Sequence, residues 1–391
     1  MTKPIYVPYY MADVRRASEQ RKFTVISTFC GGGGSSIGYM LAGGRVLLAI
    51  DHSAEAIRTY KTNFATTLAV QSDVRKIAKR AAALAILEQA GIRPGEIDLL
   101  DASPPCNEFS RAGRGPKPGG TADLIFELFD FAKVAMPRVV VIENVPELAT
   151  RYGDILENAL DELRFGAGGE RVYFAAYKEL IASEYGAPQK RKRLIVIVVR
   201  ADVAGHAGIT TDAEIVDKVI PKPLPMMPVT MRMALTDVPQ GEDDIEPWRR
   251  SVRTTSLARL VPRLEKNPAK SISLRGEKTG FTLIRPALDE PACTMTASGQ
   301  KPDFRCGVLH PTEDRKPSIP EFLRLNGCPD DYKLTGTLDQ CAERLGMMVL
   351  PAVMKAVAEH VYEKLLRPFH QTLLKSTESS ARGNSDESRS R

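Results

Sequence analysis

A chain of 391 residues, 43% of them hydrophobic, has enough apolar material for large cores, and two domains are expected at this length. A formal net charge of +6 permits an anionic partner without demanding one. The six cysteines include no C-x-x-C pair and no Cys/His cluster at ligand spacing, which argues against zinc; with no cleavable leader and no apolar run of membrane-spanning length, free thiols, a reducing cytoplasm and no membrane partner are expected.

Residues 1–22 mix aromatics with charge and show no clear period, so they read as an N-terminal arm or a frayed end. Phe23–Phe29 is a buried strand that runs into Gly31-Gly32-Gly33-Gly34. A helix starts near Ser35, and Gly43-Gly44 stops it. Strand, glycine turn and helix open a nucleotide-binding βαβ unit, because glycine admits positive φ and lets a ligand lie against bare backbone. The turn lacks the Gly-Lys-Ser/Thr of a phosphate loop, and Ser36 stands where G-x-G-x-x-G has its third glycine. Taken alone, it is as readily a tight turn as a ligand loop. A second strand, Val46–Ile50, ends on Asp51, which suits ribose hydroxyls or the cap of the next helix, a role Ser53 also fits. A third, Leu68–Val70, leads to Ser72-Asp73-Val74 and to an Ala/Leu-rich helix that stops at Gly91, with Pro94 beyond it.

The strand Ile97–Ser103 ends in Pro104-Pro105-Cys106. Each proline fixes its own φ and biases the residue before it toward extended geometry. Cys106 is therefore displayed at a strand end, a nucleophile on a stiff mount, followed by a basic, glycine-rich flap (Arg111–Gly120). Next come a helix over Ala122–Met136 and a strand Val139–Val145 that carries Glu143. Val172–Leu180 and Leu194–Val199 are the last strands of this part, and their connection is too short for a crossover, which predicts an antiparallel edge hairpin. The alternation of strands and helices predicts an α/β fold, a doubly wound and mostly parallel sheet, over residues 23–200. In such a sheet ligands sit beyond the carboxyl ends of the strands, where the glycine turn, Asp51, Asp73, Cys106 and Glu143 converge. A thiol near a carboxylate and the basic Gln189-x-Arg191-x-Arg193 segment is an arrangement for covalent catalysis.

After Arg200 prolines cluster (Pro221, Pro223, Pro225, Pro228) and periodicity weakens, which marks a boundary near 201. Trp248–Arg285 carries ten bases (Arg249, Arg250, Arg253, Arg259, Arg263, Lys266, Lys270, Arg275, Lys278, Arg285) against only Glu265 and Glu277, which favours a polyanion-binding face over a merely solvated one. Leu345–Leu366 is apolar and helical, and residues 371–391 read as a disordered tail.

In this order the motifs resemble those of the DNA (cytosine-5) methyltransferase family, over about residues 23–365. Phe29-x-Gly31-x-Gly33-Gly34 is similar to the family's cofactor loop, with Asp51 and Asp73 at its ribose and adenine positions. Pro104-Pro105-Cys106 resembles the nucleophile motif, Glu143-Asn144-Val145 the ENV motif and Gln189-x-Arg191-x-Arg193 the QxRxR motif. Pro291–Thr296, Glu321–Asp330 and Gly346-Met347-Met348-Val349-x-Pro351 fall where the family has its late signatures.

The resemblance implies a Rossmann-like class I S-adenosylmethionine-dependent methyltransferase fold over 23–200, completed by a helix near 340–366, with a smaller target-recognition domain and hinge at 201–335. It implies S-adenosylmethionine, leaving as S-adenosylhomocysteine, and no metal. Phe29, Gly31, Gly33, Gly34, Asp51, His52, Asp73, Val74, Pro104, Leu124 and Val349 would hold that cofactor. Double-stranded DNA is the implied substrate, met by Ser110, Arg111, Arg114, Lys117, Gln189, Thr294, Arg249, Arg250 and Arg275. Cys106 would add to C6 of a flipped-out cytosine while Glu143 engages N3 and the exocyclic amine; Arg193 would hold O2 and orient Glu143, and Arg191 would support the thiolate or the flap. The implied role is modification of a single sequence by a cytoplasmic, nucleoid-associated monomer, solitary or paired with a restriction endonuclease. Methylation of tRNA by the same chemistry and a silent DNA-binding relative are the alternatives. Among the departures from the family, Asp51 replaces a longer Glu, Asn107 and Asn326 replace glutamines, and the flap lacks a D-x-R-G pattern. Met347 replaces an asparagine, which sets a bulky thioether beside the cofactor pocket.

Overall fold

The computed structural model describes residues 6–105, 108–109, 115, 120–255, 257–275, 282–301 and 306–375. The apolar runs become β1 (Phe23–Thr28), β2 (Gly44–Asp51), β3 (Leu68–Gln71), β4 (Leu99–Ala102), β5 (Val139–Asn144) and β6 (Tyr173–Ile181); the two-residue β7 (Gln189–Lys190) precedes β8 (Lys192–Arg200). All but β7 form one sheet in the order β3-β2-β1-β4-β5-β8-β6. Pairing is parallel from β3 through β5, and β8 runs antiparallel to both of its neighbours. The expected hairpin is thus present, with its later strand inserted next to β5. Leu194–Val199 of β8 is buried throughout, whereas β6 exposes Lys178 and Glu179 and so takes the edge. A run of six buried apolar residues needs cover on both faces.

One face of the sheet packs on the helices Gly34–Leu41 and Pro351–Val361, the other on Leu124–Ala135 and Gly153–Arg164. The last of these helices lies where the sequence reading placed no element, although Leu156, Ala159, Leu160 and Leu163 form its buried stripe at i, i+3, i+4 and i+7. The N-terminal segment is neither frayed nor a free arm from Tyr6 on. It forms the helix Met11–Ser18, with Met11 and Val14 buried. Tyr9 Oη donates to the Gly327 carbonyl (2.6 Å) and Met11 N to Asp331 Oδ1 (2.7 Å). At the other end, residues 371–375 are helical, and the rest of the expected tail lies outside the described residues.

Beyond residue 200, β9 (Ile272–Arg275), β10 (Thr282–Arg285) and β12 (Gly307–Val308) form a small sheet, and β11 (Ala292–Cys293) pairs in parallel with β7. A buried ion network fastens this part to the helix Ile319–Leu325. Arg315 is 1% exposed and forks onto Glu321 at 2.6 and 2.7 Å. Burial opposes ionisation of Glu321, yet the Arg315 hydrogen bonds hold its carboxyl at about 2. Burial pushes neighbouring His310 down to about 4. Among the described residues no helix is long and apolar enough to cross a membrane.

The helices Gly34–Leu41 and Pro351–Val361 cross at backbone contact. A methyl group on Gly38 would lie 2.6 Å from the Pro351 carbonyl oxygen and 2.7 Å from Met354 Cβ. Gly38→Ala is therefore expected to cost about 1–3 kcal/mol through overpacking, read as a lower midpoint in urea unfolding. A midpoint equal to wild type would mean the two helices part without cost.

Candidate active site

The strand order reverses between β1 and β4, so a crevice opens there at the carboxyl ends of the strands. Phe29 (φ 53°), Gly31 (φ 50°) and Gly33 (φ 85°) turn the chain out of β1 into the helix Gly34–Leu41. Nothing lies within 4 Å of where a Gly31 side chain would begin, so its backbone faces open space. Asp51, at the end of β2, accepts from Gly31 N through Oδ2 (2.9 Å) and from Ser53 N through Oδ1 (2.8 Å). The helix Ala54–Asn63 is capped by Ser53. Asp51 instead ties the glycine turn to β2, and each of its oxygens keeps a further lone pair for a ligand hydroxyl. Asp73 caps the short helix Val74–Ile77, accepting from Arg75 N (2.9 Å), and Arg75 Nη2 reaches across to the Gly120 carbonyl (3.0 Å).

His52 is exposed beside Asp51, whereas Val74, Pro104, Leu124 and Val349 are buried at the same end of the sheet. Ser103 Oγ and Thr121 Oγ1 are also buried there, without a hydrogen-bond partner among the described residues. An open glycine backbone, two carboxylates and two unengaged hydroxyls fit a ligand that carries hydroxyls and amines, as a nucleoside does. Met347 is not what fills this crevice. It is 56% exposed, and the methionine packed behind the glycine turn is its neighbour Met348, whose Cε lies 3.0 Å from a Cβ built on Gly32.

Cys106 lies outside the described residues, as do Ser110, Arg111, Arg114 and Lys117; the Pro-Pro step before them is described. Because β4 and β5 pair in register from Leu99↔Val139 to Ala102↔Ile142, Pro104-Pro105 and Glu143 leave adjacent strand ends. Asn144 Nδ2 donates to the Pro104 carbonyl (3.2 Å), and its Oδ1 accepts from Val145 N (2.8 Å). This side chain, which the sequence reading left without a role, fixes the mount of Cys106 to β5. Glu143 is 8% exposed, and Arg193 Nε of β8 stands 2.5 Å from its Oε1. Arg191 is 3% exposed and donates to the carbonyls of Gly346 (2.9 Å) and Met295 (3.3 Å).

Two expectations about the polyanion side are corrected. Gln189 is fully buried; it donates to Asn326 Oδ1 (2.9 Å) and accepts from Met295 N (3.1 Å), so it braces the segment from within and does not face a bound strand. Asn326 completes this chain by donating to the Leu345 carbonyl (2.8 Å). The basic window is also less unopposed than its local sequence implies. Acids outside it pair with Arg249 (Glu242, 2.6 Å; Glu313, 3.5 Å), with Arg253 (Glu246, 3.9 Å), and with Lys266 and Arg285 (Asp314, 2.8 Å each), and Arg285 is wholly buried. Arg250, Arg275 and Thr294 remain exposed, with Thr294 Oγ1 donating to the Lys190 carbonyl (3.1 Å). A further carboxylate was passed over: Asp101 on β4 is fully buried and accepts from Ser27 Oγ (2.6 Å) and Tyr39 Oη (3.0 Å). Its signal was an acid inside the apolar strand Leu99-Leu100-Asp101-Ala102. Among the described residues no group of three or more His, Cys, Asp or Glu is placed to hold a metal ion.

A family model described as C-5 cytosine-specific DNA methylase matches residues 23–363. The type II methyltransferase M.PspPI of Psychrobacter sp. (strain TA137) is 29% identical over 369 residues, 88% of this chain and 80% of that protein. The type II methyltransferase M.Eco47II of Escherichia coli is 29% identical over 367 residues, 88% of this chain and 79% of that protein. A solved structure of a candidate DNA modification methyltransferase encoded within an E. coli prophage superposes with a TM-score of 0.64 at 22% identity, over 88% of this chain and 99% of that one. Spodoptera frugiperda DNMT2 does so with 0.61 at 15% identity, over 87% and 99%. At these identities the superpositions speak to the fold.

Gln189→Ala would leave Asn326 Oδ1 and Met295 N buried without their partner. A loss of about 1–3 kcal/mol in chemical denaturation is expected, where an exposed glutamine would give almost none.

Proposed function

As the chain belongs to the C-5 cytosine-specific DNA methylase family and is a DNA cytosine methyltransferase, we propose that it methylates C5 of a flipped-out cytosine in one specific duplex sequence through a covalent bond to Cys106. The observation that carries this reading is the Arg193–Glu143 pair beside the Pro-Pro step that Asn144 holds.

C5 of cytosine belongs to an aromatic ring and is a poor nucleophile. The Cys106 thiolate attacks C6, an S–C bond forms, and the ring's π electrons move to C5, which becomes enamine-like. Negative charge that builds on the ring is offset by a proton that Glu143 shares with N3, while the same carboxyl group accepts from the exocyclic amine. Arg193 engages Oε1 of that carboxylate, fixing its orientation and leaving Oε2 for the base. S-adenosylmethionine, held at the glycine turn (Phe29, Gly31, Gly33, Gly34), Asp51, His52, Asp73, Val74, Pro104, Leu124 and Val349, supplies an electrophilic methyl carbon when bound. C5 would take that methyl as the donor leaves as S-adenosylhomocysteine; transfer of the C5 proton to water and cleavage of the S–C6 bond then restore the aromatic ring and free Cys106.

The target carbon is unreachable inside a stacked duplex, so the cytosine is extruded into the crevice. Ser110, Arg111, Arg114 and Lys117 belong to the segment that would close over it. Residues 201–335 act as the target-recognition domain, with Arg249, Arg250, Arg275 and Thr294 on the DNA side and Gln189 bracing Met295 next to Thr294. The type II designation of the relatives supports a modification role paired with a restriction endonuclease. The enzyme is read as a monomer acting on cytoplasmic DNA.

Duplex DNA incubated with labelled cofactor is expected to take up methyl groups from the wild-type protein. Glu143→Gln should slow transfer about 10²–10⁴-fold, and Cys106→Ser should reduce it to background. Transfer by Cys106→Ser at the wild-type rate would sink the covalent route, and label entering tRNA in preference to duplex DNA would sink the substrate assignment.

A further inference from the structure

Three carboxylates gather at the carboxyl ends of the central strands, and they are balanced in different ways. Glu143 has Arg193. Asp51 has two backbone N–H groups and the exposed His52 ring, 3.4 Å away. Asp101 has only hydroxyls: Ser27 Oγ of β1 at 2.6 Å, Tyr39 Oη at 3.0 Å and a hydrogen bond from Ser35 of the same helix. Among the described residues no cationic side chain pairs with it, although it is completely buried. Buried ionised groups are ordinarily matched by a counter-charge, because desolvation is otherwise too costly.

Its position says where a counter-charge would come from. Asp101 is the penultimate residue of β4 and lies in register opposite Ser27 of β1. These two strands flank the point where the sheet order reverses, the place beyond which open α/β sheets bind their ligands. Ser35 and Tyr39 belong to the helix that the glycine turn begins, so Asp101 also fixes that helix to the sheet.

We propose that Asp101 is a positioning residue for the cofactor, whose buried negative charge favours the cationic sulfonium donor over its neutral thioether product. The inference rests on the S-adenosylmethionine reading above. The donor carries one positive charge more than S-adenosylhomocysteine and otherwise differs from it by a methyl group, so a charge beneath the crevice separates the two.

Burial raises the Asp101 carboxyl, the three hydroxyl bonds lower it, and the charge of Glu143 raises it again, to about 7. The other groups facing it are the Cys30 thiol ahead of the glycine turn, the Tyr39 phenol and the Tyr60 phenol of the helix Ala54–Asn63. Burial pushes all three well above their usual ranges, with the next largest contribution from Asp51 for Cys30, from Asp101 for Tyr39 and from Cys30 for Tyr60, so they stay neutral near neutrality. The sign follows. Below about 7 Asp101 is protonated and the two ligands differ little; above it the carboxylate is ionised and the donor gains. By linkage, binding the cation lowers the Asp101 pKa, so the protein releases protons when it takes up the donor near that pH and not when it takes up the product.

The full-length protein titrated calorimetrically with each ligand between about pH 5.5 and 7.5, a window in which the α-amino group of both stays mostly protonated, tests this. The ratio of the two dissociation constants is expected to move about tenfold in favour of the donor across that range, as one charge acting through a partly shielded interior gives. Asp101→Asn keeps the side chain's shape and should leave the ratio flat. A flat ratio in the wild-type protein overturns the proposal without any variant, as does an Asp101→Asn protein that keeps the wild-type slope. Should that variant not fold, repeating the wild-type titration near pH 6.5 in buffers of different ionisation enthalpy decides: proton release with the donor alone supports the proposal, and equal release with both ligands overturns it. Failure to bind either ligand at any pH overturns the cofactor reading itself, and this inference with it.

Discussion

The helix that follows the glycine turn reaches the C-terminal helix only because Gly34 and Gly38 carry no side chains. A Cβ on Gly34 would run into the carbonyl oxygen of Val349, and one on Gly38 into the backbone of Pro351 and Lys355. Much of the rest of the molecule follows from this contact. The first two hundred residues lack the rear wall of their own ligand turn, and the chain must return from beyond residue 345 to supply it. Met348 backs Gly32, and Tyr332 Oη, from the end of the stretch that precedes this return, donates to the Gly32 carbonyl. The closure entropy of a long excursion grows only logarithmically with its length, by about 0.6 kcal/mol per doubling. Inserting residues 201–335 before the return is therefore thermodynamically mild. The turn ends up rigid behind and open in front, at Gly31.

The same crowding governs the charges. Of the acids at the strand ends, three are stabilised by different kinds of donor: a guanidinium for Glu143, peptide N–H groups for Asp51, hydroxyls for Asp101. A guanidinium gives direction, because its planar fork fixes the carboxyl group it meets. Peptide donors bind the acid to the local backbone, so Asp51 moves with the glycine turn. Hydroxyls rotate and can donate to a carboxylate or accept from a carboxylic acid, so those around Asp101 serve either protonation state.

Strand positions were legible because strands covered on both faces read as unbroken apolar runs, and Glu143 and the glycine turn were legible because they stand where those runs stop. What was not legible depended on partners far away in sequence. Nothing near Gln189 tells that its amide meets Asn326 and Met295, more than a hundred residues on. The acids that neutralise Arg249, Lys266 and Arg285 lie mostly at Glu313 and Asp314, beyond the window in which the bases were counted. The exchange of roles between Met347 and Met348 is a matter of one step along a helix end, about 100° of rotation, which motif alignment does not resolve. The helix Gly153–Arg164 carries a stripe at helical spacing, Leu156, Ala159, Leu160 and Leu163, with Glu157, Asp161 and Glu162 on its polar face, and no element was placed on it.

The Gln-x-Arg-x-Arg segment shows how these long-range contacts become one device. Residues two apart on an extended chain point the same way, and here Gln189, Arg191 and Arg193 turn inward while Lys190 and Lys192 are exposed. The inward residues fasten four separate parts of the chain: Gln189 holds Met295 and Asn326, Arg191 the returning turn at Gly346, and Arg193 the carboxylate of Glu143. The outward lysines meet Glu290 and Glu179 at 3.3 and 2.7 Å. A slip of one residue would turn both arginines to solvent and two lysines into the interior. It would detach the C-terminal return and strip Glu143 of its counter-charge in the same step. The register of β8 against β5, set by six buried apolar residues, is therefore what holds Glu143 in working order.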